Sequence, residues 1–431
     1  MKKKLTTLLI LLLLTTTSSF AILEIKKITL EEALDFALKT NPQLQIMELD
    51  VEVSKNEIDV ANRLKNPSIG TYQNIGDPAQ GNPQQIGADY VVEVLKRGKR
   101  KAYAKSNSLV SLNNKEYRKH KLLADVKISY INLLLKKGNL KLTKDEKELS
   151  RDIYVDTLRK FDSNEATKAD VIQAKIAYNR SIMYYNIARS EVVSAQNAFN
   201  TVMNTSDVDF DAQEDELSTD YENLLTISPL ENSITFEKIK NFALENRNDL
   251  QAAKQKIESA QINLKVVKSQ RIPDLELEGG YGYLTKGISD NGEFTSGAYA
   301  GVKLTNIPLI YNYAPEIKNA KLEIEKAQLN YRDIEIDVIR NVTDAWEKFV
   351  IAKENLNFYN KELLSNSKEL LDESIKSLSK GEMDITSFLV SKKLYIELKL
   401  EYKQALCDYY TSFAELLGEM NAQYKDFGEL I

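Results

Sequence analysis

Ile28-Thr-Leu-Glu-Glu-Ala-Leu-Asp-Phe-Ala-Leu-Lys-Thr-Asn-Pro-Gln-Leu-Gln45 returns later in the chain, without a gap, as Ile234-Thr-Phe-Glu-Lys-Ile-Lys-Asn-Phe-Ala-Leu-Glu-Asn-Arg-Asn-Asp-Leu-Gln251. The same register holds at Phe36/Phe242, Ala37/Ala243, Leu44/Leu250, Glu52/Glu258, Pro67/Pro273 and Gly76/Gly282. The chain is therefore a tandem duplication. A repeat of about two hundred residues is too long for a solenoid unit, so each copy is expected to supply half of one architecture.

Glycine and proline set the kind of architecture. Between Lys99 and Ile272 the only glycine is Gly138 and the only proline is Pro229; beyond Pro315 there is no proline, and the next glycine is Gly381. Long helices follow. Within the last of these stretches Ala320, Ile324, Ala327, Tyr331, Ile334, Val338, Val342, Ala345, Phe349, Ala352, Leu356, Tyr359 and Leu363 alternate three and four apart with one four-four step, a coiled-coil seam. Helices over Arg97–Lys160 and Pro315–Ser377 would each reach about 90 Å at about 1.5 Å per residue.

Eleven of the sixteen glycines cluster in 67–95 and 273–309, at equivalent places in the two repeats. Leu275, Leu277, Tyr281 and Tyr283 alternate with Glu276, Glu278, Gly280 and Gly282, which predicts a strand with one apolar face. After a loop at Asp290-Asn291-Gly292 the alternation resumes through Ala298, Ala300, Val302 and Leu304. The first window repeats the pattern: Ile69 to Gly76, a loop through Asp77-Pro78 and Asn82-Pro83, then Ala88, Tyr90, Val92 and Val94. Each window reads as a hairpin. Strands of this kind suit an outer-membrane barrel, and two hairpins cannot close one alone, so several chains must contribute. Soluble hairpins covered by the helices are the alternative.

Lys2, Lys3 and Lys4 before the apolar run Leu5–Leu14, with Ser19-Phe20-Ala21 following, predict a signal peptide over 1–21, cleaved near Ala21. Residues 22–203 and 234–420 are the two repeats. Between them, 204–233 forms an acidic linker without lysine or arginine, and 421–431 is a tail. No later stretch has the roughly 18 apolar residues of a membrane helix. Cys407 and His120 are the only residues of their kinds, so neither a disulfide, a lipoprotein anchor nor a metal cluster is expected. A net charge of −5 argues against nucleic acid as a partner. No phosphate loop or nucleophile–base set can be assembled, so neither an enzyme nor a cofactor is expected.

Each repeat's helical hairpin turns once. Over 161–167 the turn leads into Thr167 and Asp170, spaced as a cap pair; over 379–384 Gly381 permits a left-handed residue and Asp384 can cap the next helix.

Taken together, Thr29-Leu-Glu-Glu-Ala33, Asn41-Pro42, the strand starts at Pro67 and Pro273 and the paired turns resemble the TolC family of outer-membrane efflux channels. The resemblance implies a mainly α tandem-repeat fold with a small β part: long coiled-coil helices forming a periplasmic tunnel, and two hairpins giving four strands per chain to a trimeric twelve-stranded barrel. It implies a homotrimer in outer-membrane lipid, extending into the periplasm. The duct would be passive, the exit of a tripartite efflux or type I secretion system, opened by a periplasmic adaptor and an inner-membrane pump of RND, ABC or MFS type. It places adaptor docking on Asn164, Glu165, Ala166, Gly381, Glu382 and Met383, and a periplasmic gate on Asp170, Asp384, Ser387 and Val390. Ser387 and Val390 stand where the best-known members carry constriction carboxylates, and Asn164 where the first turn usually has glycine. Arg97-Gly-Lys-Arg-Lys101 resembles the strand-to-helix junction of metal-efflux relatives. A secreted coiled-coil structural or adhesive protein without a pore is the runner-up; the glycine-rich hairpins in both repeats speak against it.

Overall fold

The computed structural model describes residues 25–73, 82–205, 208–217, 235–285, 297–359 and 361–422. The signal peptide, the loops at 74–81 and 286–296, most of the acidic linker and the end of the tail lie outside the described residues; Asn82-Pro83, expected in the first hairpin loop, instead begins a strand. In chain order the elements are β1 (Ile25–Ile28), α1 (Leu30–Thr40), α2 (Pro42–Asn62), β2 (Ser68–Gln73), β3 (Asn82–Val92), α3 (Arg97–Asp162), α4 (Lys168–Met203), β4 (Asp209–Ala212), α5 (Phe236–Asn246), α6 (Asn248–Ser269), β5 (Asp274–Thr285), β6 (Gly297–Thr305), α7 (Ala314–Phe358), α8 (Lys361–Lys380) and α9 (Ile385–Met420). Among the described residues no helix is long and apolar enough to cross a membrane.

The repeated motif explains its own local structure. Thr29 and Glu32 form a capping box on α1: Glu32 Oε2 accepts from the Thr29 amide at 3.0 Å, and Thr29 Oγ1 accepts from the Glu32 amide at 3.2 Å. Asn41 caps α2, its Oδ1 accepting from the amides of Gln43 and Leu44, with Pro42 occupying the first helical position, where no amide hydrogen is needed. The second repeat replaces this Asn-Pro with Arg247-Asn248.

The chain divides into two compact units. In the first, β1 and β4 pair in parallel, and Tyr130 of α3 donates its hydroxyl to Ile28 O at 3.0 Å. Phe199 packs edge-on against Tyr130 at 5.6 Å, and Phe36 against Phe210 at 4.9 Å. Asn200 binds both the amide and the carbonyl of Phe210, which ties β4 to the end of α4. In the second unit β2, β3, β5 and β6 form one antiparallel sheet in that order, while α5 and α6 pack on α7. Arg247 is almost fully buried there. Its guanidinium meets Asp249 at 2.9 Å and Glu419 at 2.7 Å and lies 5.5 Å from the Tyr117 ring centroid.

The seam of α7 is buried at Ala320, Ala327, Val338, Val342, Ala345, Phe349 and Ala352, and Phe349 meets Phe413 and Tyr409 at 5.5 Å. One expectation fails. The helix anticipated over Pro315–Ser377 is two helices, α7 ending at Phe358 and α8 beginning at Lys361. Asn357, Phe358, Tyr359 and Asn360 are four successive weak helix formers, and Phe358 is 75 % exposed, so its burial does little to offset that weakness.

Candidate functional site

The strand register sorts the sheet residues onto two faces. Leu277 stands opposite Tyr90 on β3 and Val302 on β6; Tyr281 stands opposite Ile86 and Ala298, and Leu275 opposite Val92 and Leu304. Residues directly opposite share a face, so these rows form one apolar surface that continues to Ile69 and Thr71 on β2. That surface is bare: Leu277 is 41 % exposed, Val302 66 % and Ile69 79 %. Tyr283 pairs with Gln84 in the same row set, but its side chain lies outside the described residues.

The other face carries Asp89, Glu276, Glu278, Tyr299 and Lys303 among glycines. The glycines make room for the large groups. A Cβ on Gly87 or Gly280 would collide with the Tyr299 side chain or the strand behind it, and one on Gly301 would collide with the Glu278 carboxylate. Tyr299 thus lies across the two strands beside its own, and Glu278 reaches Lys303. Where the sheet meets the helices, Lys96 and Asp274 form a nearly buried ion pair at 2.8 Å, 4 % and 2 % exposed, and Asn306 Nδ2 donates to Asp274 Oδ2 at 2.7 Å.

At the hairpin turns two different sequences make one geometry. Asn164 (φ 59°) and Gly381 (φ 75°) are both left-handed. Each is followed by a Schellman bond, Glu165 N to Lys160 O at 2.7 Å and Glu382 N to Ser377 O at 2.9 Å. Asparagine is among the few residues with a side chain that enter this conformation readily, which is why it can stand where glycine is usual. The caps that follow exchange their chemistry. On α4 the hydroxyl of Thr167 is the cap, and the Asp170 carboxylate accepts from the Thr167 amide at 2.8 Å and its hydroxyl at 2.7 Å. On α9 the carboxylate of Asp384 is the cap, accepting from the Ser387 amide at 3.0 Å and its hydroxyl at 2.5 Å. The Ser387 bonds hold the Asp384 carboxyl below its ordinary pKa.

The two turns are neighbours. Lys160 donates to Leu378 O at 2.8 Å, and the Thr386 hydroxyl donates to Gln173 Oε1 at 3.0 Å. Asn164, Glu165, Gly381, Glu382, Ser387 and Val390 are exposed; Ala166, Asp170 and Met383 are half-buried. Close to them is a cluster that the sequence analysis missed. Lys392 is buried on α9, its ammonium 3.2 Å from Glu146 and 2.6 Å from Ser150 Oγ on α3, and burial pushes its pKa down. Farther along α9, Lys403 shares Glu216 with Lys141, both at 2.8 Å, which pulls the Glu216 carboxyl down to about 2. Among the described residues no group of three or more His, Cys, Asp or Glu is placed to hold a metal ion.

Residues 241–416 match the family model for outer membrane efflux proteins. No curated protein sequence matches the chain. Among solved structures, CusC superposes with a TM-score of 0.71 at 13 % identity, covering 92 % of this chain and 93 % of that one. The outer membrane protein VceC of Vibrio cholerae gives 0.68 at 13 % identity over 92 % and 96 %. The outer membrane channel CmeC of Campylobacter jejuni gives 0.66 at 16 % identity over 93 % and 89 %. Residues 241–416 therefore resemble outer membrane efflux proteins in sequence, and over 92 % of its length the chain has the fold of these outer-membrane channels.

Proposed function

We propose that this protein is a passive outer-membrane exit duct in which copies of the chain pair edge to edge, three of them closing one twelve-stranded barrel. One observation carries the reading: a four-stranded sheet with a bare apolar face, a glycine-rich polar face and an edge strand at each end. In lipid, every backbone group left unpaired at β2 and β6 costs several kcal/mol, and pairing β2 of one copy with β6 of the next removes both edges. The apolar rows of Leu275, Leu277, Tyr281 and Tyr283 then face acyl chains, and Glu276, Glu278 and Lys303 face the lumen. Residues 22–203 and 234–420 are the two halves of this duct, joined by 204–233, behind a signal peptide that ends near Ala21.

The turns are its periplasmic tips. Asn164, Glu165, Ala166, Gly381, Glu382 and Met383 meet the adaptor of an efflux or type I secretion assembly, whose inner-membrane pump supplies the energy. Asp170, Asp384, Ser387 and Val390 lie at the gate. Both carboxylates are engaged in helix-capping hydrogen bonds, which leaves their oxygens less available to coordinate a cation at the closed gate. Extraction of outer membranes into mild detergent tests the assembly: a heat-sensitive oligomer band that conducts in planar bilayers is expected, and a water-soluble monomer would contradict the reading.

A further inference from the structure

At the junction of sheet and helices the two repeats handle their cations differently. In the first, Lys65 and Arg100 both meet Glu93, and Arg97 donates through Nε to Asn62 O at 2.6 Å. In the second, Lys268 in the last turn of α6, Arg271 just beyond it, and Lys318 and Lys321 at the start of α7 line an open cleft of about 490 Å³ together with Ala314 and Ile317. No carboxylate lines it. On α7, Glu316 accepts from the Tyr311 hydroxyl at 2.6 Å through one oxygen, and Glu323 pairs with Lys326. Arg271 is oriented by donating through Nε to Asn312 O at 2.6 Å, which leaves the rest of its guanidinium for another acceptor.

The segment that Arg271 holds, between β6 and α7, projects apolar side chains. Leu309 is 85 % exposed and Ile310 102 %, with Ile307 and Tyr311 also exposed. A cluster of uncompensated cations beside protruding aliphatic and aromatic groups fits an interface at which phosphates lie above acyl chains. We infer that this cleft binds the phosphate of an anionic phospholipid in the leaflet facing the periplasm, with Leu309 and Ile310 inserted among its chains. This rests on the membrane placement of the sheet proposed above. The apolar surface of β5 and β6 leads directly into the segment, which makes lipid the occupant that continues the surface.

The test uses the full-length oligomer, delipidated in detergent and titrated with phosphatidylglycerol or phosphatidylcholine while bound lipid is counted by native mass spectrometry. Wild type should retain phosphatidylglycerol preferentially. A Lys268→Gln/Lys318→Gln/Lys321→Gln variant should bind it at least about tenfold more weakly, since each cation near a phosphate surface is worth about fivefold. Leu309→Ser/Ile310→Ser should weaken both lipids. Equal retention of phosphatidylglycerol by wild type and the lysine variant overturns the inference. So does dissociation of the Leu309→Ser/Ile310→Ser oligomer with lipid retention unchanged, because a second copy of the chain would then cover the segment. Inorganic phosphate displacing the lipid completely at equal concentration would also overturn it. All variants are expected to conduct in planar bilayers like wild type; a wild-type protein that forms no membrane oligomer would instead refute the channel reading itself.

Discussion

Replacing Leu277 by lysine puts a charge at the centre of the apolar surface, in the row Tyr90–Leu277–Val302. A cation on the lipid face of a barrel strand costs about 2 to 4 kcal/mol near the bilayer midplane. At about 1.4 kcal/mol per decade, that lowers the folded-to-unfolded ratio of each chain by roughly 30- to 1000-fold. In a symmetric oligomer every copy bears the cost, so assembly should suffer more than one chain alone. The matched control is Glu278→Gln on the opposite face. Among the described residues the loss there is an ion pair with Lys303, whose side chain is 53 % exposed, so that solvent screens the pair and leaves it little weight. Outer membranes from cells producing each variant, extracted and run unheated on a gel, should show the oligomer band nearly abolished for Leu277→Lys and intact for Glu278→Gln. If the two variants assemble equally, the faces are not wet and dry as assigned, and the membrane placement of the sheet is wrong.

Glu146→Leu should destabilise the protein by about 3 to 5 kcal/mol by leaving the Lys392 ammonium buried without a counter-charge, and Glu146→Leu/Lys392→Met should recover most of that; urea unfolding in detergent measures both. Glu216 has a folded pKa of about 2 against an ordinary 4.5. Its depressed pKa stabilises the fold fully above pH 4.5, and that contribution is lost as pH falls from about 4.5 to about 2, amounting to about 1 to 2 kcal/mol after allowance for its exposure. Glu216→Gln should flatten the urea midpoint across that window relative to wild type. Asn164→Gly should leave stability within about 0.5 kcal/mol, whereas Asn164→Val should cost about 1 to 2 kcal/mol at the left-handed first turn. Multivalent cations should block single channels only weakly, and Ser387→Asp/Val390→Asp should introduce strong block by adding rings of carboxylate with no capping duty; tight block of wild-type channels would place the gate elsewhere.

What could be read from the sequence is whatever one element expresses in its own period. The alternation from Leu275 to Tyr283 specified both faces of β5, since strand periodicity needs no knowledge of partners. The three-four spacing through Phe349 specified the buried side of α7 in the same way. Thr167-Lys-Ala-Asp170 announced its cap because all the atoms concerned lie within one turn. The break at Tyr359 was missed because the seam runs through it unchanged; only the weak propensities of Asn357 to Asn360 signalled it. Lys392 and Lys403 carried a signal that was overlooked. Along α9, Ile385, Phe388, Lys392, Tyr395, Lys399, Lys403, Leu406, Tyr410 and Phe413 follow a three-four spacing, so three lysines occupy seam positions, and the two that are buried, Lys392 and Lys403, need carboxylates from other segments. Which carboxylates, Glu146 and Glu216, depends on packing between distant segments. The same is true of Arg247, which looks in sequence like a broken copy of Asn41, and of the pairing of Lys96 with Asp274.

The central claim is that β2 of one copy lies beside β6 of the next. In a Cys407→Ser background, one cysteine at Thr71 on β2 and one at Ala300 on β6, both on the apolar face, with other positions of that face of β6 scanned to find the register, can be oxidised in intact outer membranes. The account predicts that the best-registered pair yields covalent dimers and trimers and that the ladder stops at three, because the ring is then closed. Monomers alone at every register, or a ladder that continues past three, would contradict it.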